Sequence, residues 1–281
     1  MNIGIRLHDT RTGDLDQRLG CAERQGFACA HLAMSKAVPG FSMDQAAELL
    51  TDELASQVRE SFEKHQMQCA VLGCYLSLTD PNEESRERTR AIYRAHFRFA
   101  NRIGAGVVGS ETRPAKGCAF REPPEVSEEA YRLFIQCLRP IVRDAEEENA
   151  VFAIEPVFCH IVSTPERAQR MLEEIQSDHL QIILDAVNLL SPQTVDRADE
   201  IIQDAIGRLG ERVRILHMKD YLPVEKGDER LCCCACGLGE MRYERLLRFA
   251  DQRGLPMTLE NTAPENAEQA RLYLESIHAH L

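Results

Sequence analysis

The chain has 281 residues, of which 44% are apolar and 28% charged, and its net charge is −12. That length suits one barrel-sized domain whose core needs no disulfide staple, and the acidic balance argues against duplex DNA or an anionic membrane surface as the main partner. Tryptophan is absent, so no evident aromatic platform exists for single-stranded nucleic acid.

Short apolar runs alternate with long amphipathic ones. The first predicted strand is 2–7, followed by a helical stretch at 14–25 that stops at Gly26. The second strand is 27–34, the third 69–76 after a long helical region at 43–65, and the fourth 106–111 after a helix at 81–103. Gly104 and Gly106 read as a helix stop running into a buried strand. The fifth strand is 150–155, preceded by a helix at 127–148, and the sixth is 180–185, preceded by a helix at 164–177. In that helix Thr164, Pro165 and Glu166 supply an N-cap, a proline at the first helical position and an acid in the first turn. The seventh and eighth strands are 212–218 and 256–260, and a helix at 264–279 ends the series.

Strict strand–helix alternation implies parallel strands joined by right-handed crossovers. Eight such units close into a (β/α)8 TIM barrel, an α/β fold spanning residues 1–281 as one domain. A doubly wound open sheet is the competing arrangement, but no glycine-rich dinucleotide fingerprint follows the first strand.

Reacting groups in such a barrel gather at the C-terminal ends of the strands. Strands five to eight end in Glu155, Asp185, His217 and Glu260, each directly after an apolar run. A charge at the end of one buried strand has a bland explanation, a solvated end or an ion pair. Four in succession point elsewhere, because three carboxylates converging on one mouth repel one another unless a cation neutralises them. Glu, Asp, His and Glu form a mixed oxygen–nitrogen set suited to one divalent metal ion: Mn2+, Zn2+, Co2+ or Mg2+.

These strand ends, with His217-Met218-Lys219-Asp220 and the turn Gly237-Leu238-Gly239, resemble the xylose-isomerase-like sugar phosphate isomerase/epimerase superfamily. The resemblance is carried by the half of the chain from about Ala150 onward. It implies that Glu155, Asp185, His217 and Glu260 bind the metal and that Glu155 and Glu260 also move a proton off and onto a substrate carbon. Epimerases of that family usually carry a His three residues after the strand-six Asp; here Asn188 stands there. Asn hydrogen-bonds a hydroxyl but carries neither proton nor charge. The Arg such enzymes place after the strand-seven His has no clear match in Lys219-Asp220-Tyr221-Leu222-Pro223.

Other residues are candidates for the mouth. Lys219 is expected to bind a substrate anion or to pair with Asp220 or Glu155. His160, on the loop after strand five, is expected to contact substrate or to be an ordinary surface histidine. Glu111 and Arg113 after strand four, and His8 and His31 at the ends of strands one and two, are further candidates, with Glu111 and His8 preferred for substrate binding. Cys232-Cys233-Cys234-Ala235-Cys236 is expected to be a loop, its spacing matching no zinc knuckle. The seven other cysteines are expected to be packing residues, as are Phe97, Phe99 and Phe134 on the barrel wall. The charge runs 83–88 and 144–148 read as solvated helix faces.

The expected function is therefore a metal-dependent isomerase or epimerase of a sugar, sugar phosphate or related keto-polyol. A metal-dependent lyase or dehydratase on a cyclic keto acid, and a non-catalytic sugar-binding barrel, are the alternatives. Abasic-site DNA cleavage, the chemistry of a repair endonuclease family sharing this barrel, needs several metals and more His ligands; Asn188 removes one such ligand, and the net charge of −12 disfavours DNA. No run of about 18 apolar residues indicates a membrane span and the N-terminus lacks a signal-peptide pattern, so the expected location is cytoplasmic. The expected partner is a small carbohydrate-like substrate, with no nucleic acid and no membrane; a homo-oligomer is left open.

Overall fold

All eight apolar runs form strands, with ends shifted by a few residues. The computed structural model describes residues 1–225, 227 and 229–281. Its strands are β1 (Ile3–Arg6), β2 (Cys29–Leu32), β3 (Gln68–Gly73), β4 (Val107–Glu111), β5 (Phe152–Glu155), β6 (Leu180–Asp185), β7 (Val213–Met218) and β8 (Met257–Leu259). They close into a parallel barrel in chain order, with β1 pairing both β2 and β8. The principal helix after each strand is α1 (Leu15–Arg24), α2 (Asp52–Lys64), α3 (Glu83–Ile103), α4 (Glu128–Glu147), α5 (Pro165–Ile175), α6 (Ala198–Leu209), α7 (Glu244–Arg253) and α8 (Ala267–His278).

The local signals act as the sequence implies. The Thr164 hydroxyl accepts from Arg167 N at 3.2 Å, with Pro165 opening α5. Gly104 ends α3 in the left-handed region, at φ 68°. One element differs. The stretch 43–65 is not one helix: single turns at Met43–Gln45 and Ala46–Leu49 precede a break, and Thr51 then caps α2 by accepting from Leu54 N. A Thr before two acids makes a better helix start than interior.

The core has two parts. A large cluster lies between strands and helices and includes Phe97, Phe99, Phe134 and Phe152, all fully buried. A separate cluster of Cys29, Ala70, Val71, Val107, Ala153, Ile183 and Ile215 fills the lumen. Successive side chains of a strand point to opposite faces. Ala153, Ile183 and Ile215 face inward, so Glu155, Asp185 and His217, two residues on, face inward too, at the C-terminal rim. The same parity from Cys29 and Val107 brings His31 and Glu111 to that rim.

The charge run at 144–148 is not a uniformly solvated face. Asp144 is fully buried and takes both Nε and a terminal nitrogen of Arg90 on α3, at 2.6 and 2.9 Å. Arg94 adds contacts to Asp144 and Glu148 at 3.3 and 3.0 Å. Among the described residues no helix is long and apolar enough to cross a membrane.

Candidate functional site

The last inward position of each of six strands carries a polar group at the barrel mouth: Arg6, His31, Glu111, Glu155, Asp185 and His217. Glu260, one residue past β8, joins them. Glu155, Asp185, His217, His31 and Glu260 are all buried. Registers set the neighbours: Asp185 lies beside His217, and Glu155 beside Glu111. Gly73 completes the ring on β3, where a Cβ would stand 2.7 Å from His31 Nε2 and 2.9 Å from the Tyr75 ring. Glycine there leaves room for His31 to stack on His217, with centroids 5.3 Å apart.

His217 is the hub. Its Nδ1 lies 3.1 Å from Glu155 Oε2 and 3.2 Å from Glu260 Oε1, neither contact having hydrogen-bond geometry. Donor atoms of Glu155, Asp185 and His217 lie within 4.8 Å of one another, and so do those of His31, His217 and Glu260. Burial works against a charged imidazole, but Glu260 and Glu155 outweigh it and raise the His217 pKa. For Asp185 burial dominates and raises the carboxyl. Burial would also raise Glu260, yet His217, Lys219 and Arg6 hold it below the usual carboxylate range.

Lys219 stands inside this cluster. Its Nζ is 2.9 Å from Asp185 Oδ2 and 3.7 Å from Glu260 Oε2, and it donates to Asn188 Oδ1 at 2.7 Å. Neither expected partner, Asp220 nor Glu155, is its ion-pair partner among the described residues. Asp220 is committed elsewhere: its carboxylate accepts from the backbone N–H of Tyr221, Gly237 and Met241 at 2.9, 3.0 and 2.8 Å, pinning the glycine turn to the rim. Asn188 bridges the set, its Nδ2 donating to Glu155 Oε1 at 2.6 Å and its N–H to Asp185 Oδ1 at 3.0 Å. The amide thus holds Lys219 and Glu155 apart, where a His would place a titrating ring.

A divalent cation fits the donors present. Both ring nitrogens of His217 and both of His31 are buried without a hydrogen-bond partner. Buried polar atoms left unsatisfied are rare in folded proteins; imidazole nitrogens of this kind, grouped with carboxylates, suit a coordinated ion.

Glu111 and His8 line a cavity of about 260 Å³ together with Arg6, His31, Tyr75, Glu155 and Glu260. His160 neither lies on the surface nor lines this cavity. It is buried behind Glu111, its Nδ1 3.5 Å from Glu111 Oε2 and its Nε2 accepting from Arg113 Nε at 3.2 Å. Burial and the Arg113 and Arg230 charges push its pKa down to about 4. The Cys232–Cys236 stretch is no plain loop: Cys233–Cys234 pairs antiparallel with Asp220–Tyr221 at the rim. Every cysteine is a free thiol; Cys21, Cys29, Cys69, Cys74 and Cys137 are buried, whereas Cys118 and Cys159 are only partly so. Sequence reasoning missed Arg6, Lys36 and Tyr75 as cavity residues. The strand-end rule applied to strand one would have found Arg6.

A family model described as xylose isomerase-like TIM barrel matches residues 22–278. No curated protein matches the chain by sequence. Among solved structures it is similar to the 3-keto-D-glucoside 4-epimerase YcjR of E. coli, with TM-score 0.73 and 16% identity over 98% of this chain and 99% of that one. It is also similar to the probable 3-DHS dehydratase AsbF of Bacillus anthracis, with TM-score 0.75 and 12% identity over 98% and 99%. The IOLI protein with a binding zinc atom aligns over 100% and 97%, with TM-score 0.69 and 17% identity. At these identities the likeness is one of fold.

Proposed function

Because the chain belongs to the xylose isomerase-like TIM barrel family, we propose that it is a divalent-metal-dependent isomerase or epimerase acting on a sugar, sugar phosphate or related keto-polyol. The observation that carries this reading is the pair of donor groups that share the buried His217, one with Glu155 and Asp185 and the other with His31 and Glu260. Structures of similar fold include an epimerase and a zinc-bound protein.

Glu155, Asp185, His217 and Glu260 would hold the metal. Once bound, it supplies Lewis acidity that polarises a substrate carbonyl and stabilises the negative charge left when the neighbouring carbon loses its proton. Glu155 and Glu260 are the proton carriers, one removing the proton and the other returning it. Asn188 orients the Glu155 carboxylate through its 2.6 Å hydrogen bond. Lys219, buried beside Asp185, keeps positive charge next to the donors and offers an N–H to a substrate oxygen.

A dehydratase is the second reading. Asn188 favours it, because the His of the epimerase pattern is missing. Turnover producing a new ultraviolet chromophore distinguishes loss of water from isomerisation.

The test is metal analysis of the purified protein beside Glu155→Gln and Glu260→Gln. About one divalent ion per chain is expected in the wild type, with at least tenfold weaker affinity in each variant, as expected when a site loses a ligand or its support. Undiminished occupancy in both variants sinks the assignment.

A further inference from the structure

The cavity beside the candidate metal ligands is electrostatically lopsided. One wall carries the carboxylates Glu111, Glu155 and Glu260; the other, built from the segments after β1 and β2, carries Arg6, His8, Ser35 and Lys36. Arg6 is largely committed, with Nε and one terminal nitrogen on Asp9 and the other terminal nitrogen 3.5 Å from Glu260. Lys36 is exposed and has no ion-pair partner among the described residues. Arg18, buried beneath the corner, donates only to the backbone carbonyls of Leu7, Arg11 and Gly13, so no carboxylate offsets its charge among the described residues. The charges of Arg6, Lys36 and Arg18 bear on His8 against the opposing charge of Glu260, and the His8 Nδ1 is buried without a partner. Lys36 and Arg18, two cations without a carboxylate partner among the described residues, leave this corner of a chain of net charge −12 with a positive excess that a bound anion would balance.

We infer that this corner is an anion subsite, and that the ligand is a small polyhydroxylated compound carrying one oxyanion, a carboxylate or a phosphate ester, at the end facing β1 and β2. The opposite end, rich in hydroxyl or carbonyl oxygens, reaches Glu155 and Glu260. A cavity of about 260 Å³ is smaller than the ~300–1,000 Å³ of drug-sized sites, which limits the ligand to roughly one ring or one short chain. The inference rests on the reading of this cavity as the substrate site. It narrows the substrate from any keto-polyol to an acidic one.

The experiment is calorimetric titration of the full chain in saturating Mn2+ with two matched pairs, D-gluconate against D-glucitol and D-glucose 6-phosphate against D-glucose. The wild type and Lys36→Met are compared. Lys36 is exposed, so the variant is expected to fold; weak chelation of Mn2+ by the anions is the same for both proteins. The wild type is expected to bind at least one anion five times or more tighter than its neutral partner. Gluconate alone marks a carboxylate subsite, glucose 6-phosphate alone a phosphate subsite. Lys36→Met is expected to lose most of that preference while its Mn2+ stoichiometry stays that of the wild type.

The inference is overturned if neither anion binds tighter than its neutral partner, or if Lys36→Met keeps the full preference. Mn2+ binding without anion preference removes the subsite and leaves the metal reading standing. Anion preference without Mn2+ binding does the reverse.

Discussion

Lys219 shows how much one buried charge does. Its Nζ lies beside Asp185 and Glu260, two of the four proposed metal ligands. Removing one partner of a buried ion pair leaves the other uncompensated, at about 3–5 kcal/mol. Lys219→Met is therefore expected to lower the melting temperature strongly in chelator and much less in Mn2+, because a bound divalent ion supplies the missing positive charge. Scanning calorimetry under both conditions checks this; equal losses in the two would mean that Lys219 and the ion do not share a role. At this scale the sequence was informative wherever a residue ended a strand. It was blind where a side chain reached across the mouth, as Lys219 does to Asn188, thirty-one positions away. It was equally blind to His160, whose burial behind Glu111 depends on how the loop after β5 folds back.

Among the elements, α3 and α4 are joined by an arginine–carboxylate clamp whose acidic half reads in sequence as a solvated charge run. Asp144 is buried, whereas Arg90 and Arg94 are about one-third exposed, so the clamp is worth less than a fully buried pair. Asp144→Ala is expected to destabilise the protein by about 2–3 kcal/mol, between the surface and buried limits. Urea midpoints beside Glu147→Ala, whose side chain is mostly exposed, check it; equal midpoints would return Asp144 to the solvated face. Charge patterning assigns polar residues outward on average, and it fails when two neighbouring helices bring opposite charges together in an interface. The broken stretch at 43–65 was missed for a related reason. Its apolar spacing suits a helix, but Thr51 provides a competing start.

Across the whole molecule, stability is expected to vary with pH through histidines that burial keeps neutral. His96, inside α3 and fully buried, has its pKa pushed down to about 4 by burial, against a hydrogen bond to Ile92 O that pulls it up. The folded state then binds fewer protons than the unfolded one between the unfolded value near 6.5 and about 4. Stability from this group is present above that window and is lost as the pH falls through it, by up to about 3 kcal/mol. Asp185 and Glu111, raised by burial, act in the opposite sense, so the comparison of wild type with His96→Leu isolates the effect. Denaturant titrations at pH 7 and pH 4.5 are expected to shift the balance toward the variant at the lower pH; a constant difference would sink the assignment.

Alternation of eight apolar strands with amphipathic helices, and the missing dinucleotide fingerprint, pointed to the closed barrel over an open sheet, and the strand ends pointed to Glu155, Asp185 and His217 at its mouth. Both are local properties, readable one strand at a time. What surrounds those groups was decided by the tertiary structure alone: Lys219 wedged between Asp185 and Glu260, Asn188 bridging Lys219 to Glu155, and Arg6 and Lys36 lining one cavity with Glu111, Glu155 and Glu260. Those contacts depend on distances between segments far apart in the chain, which periodicity along one segment does not encode.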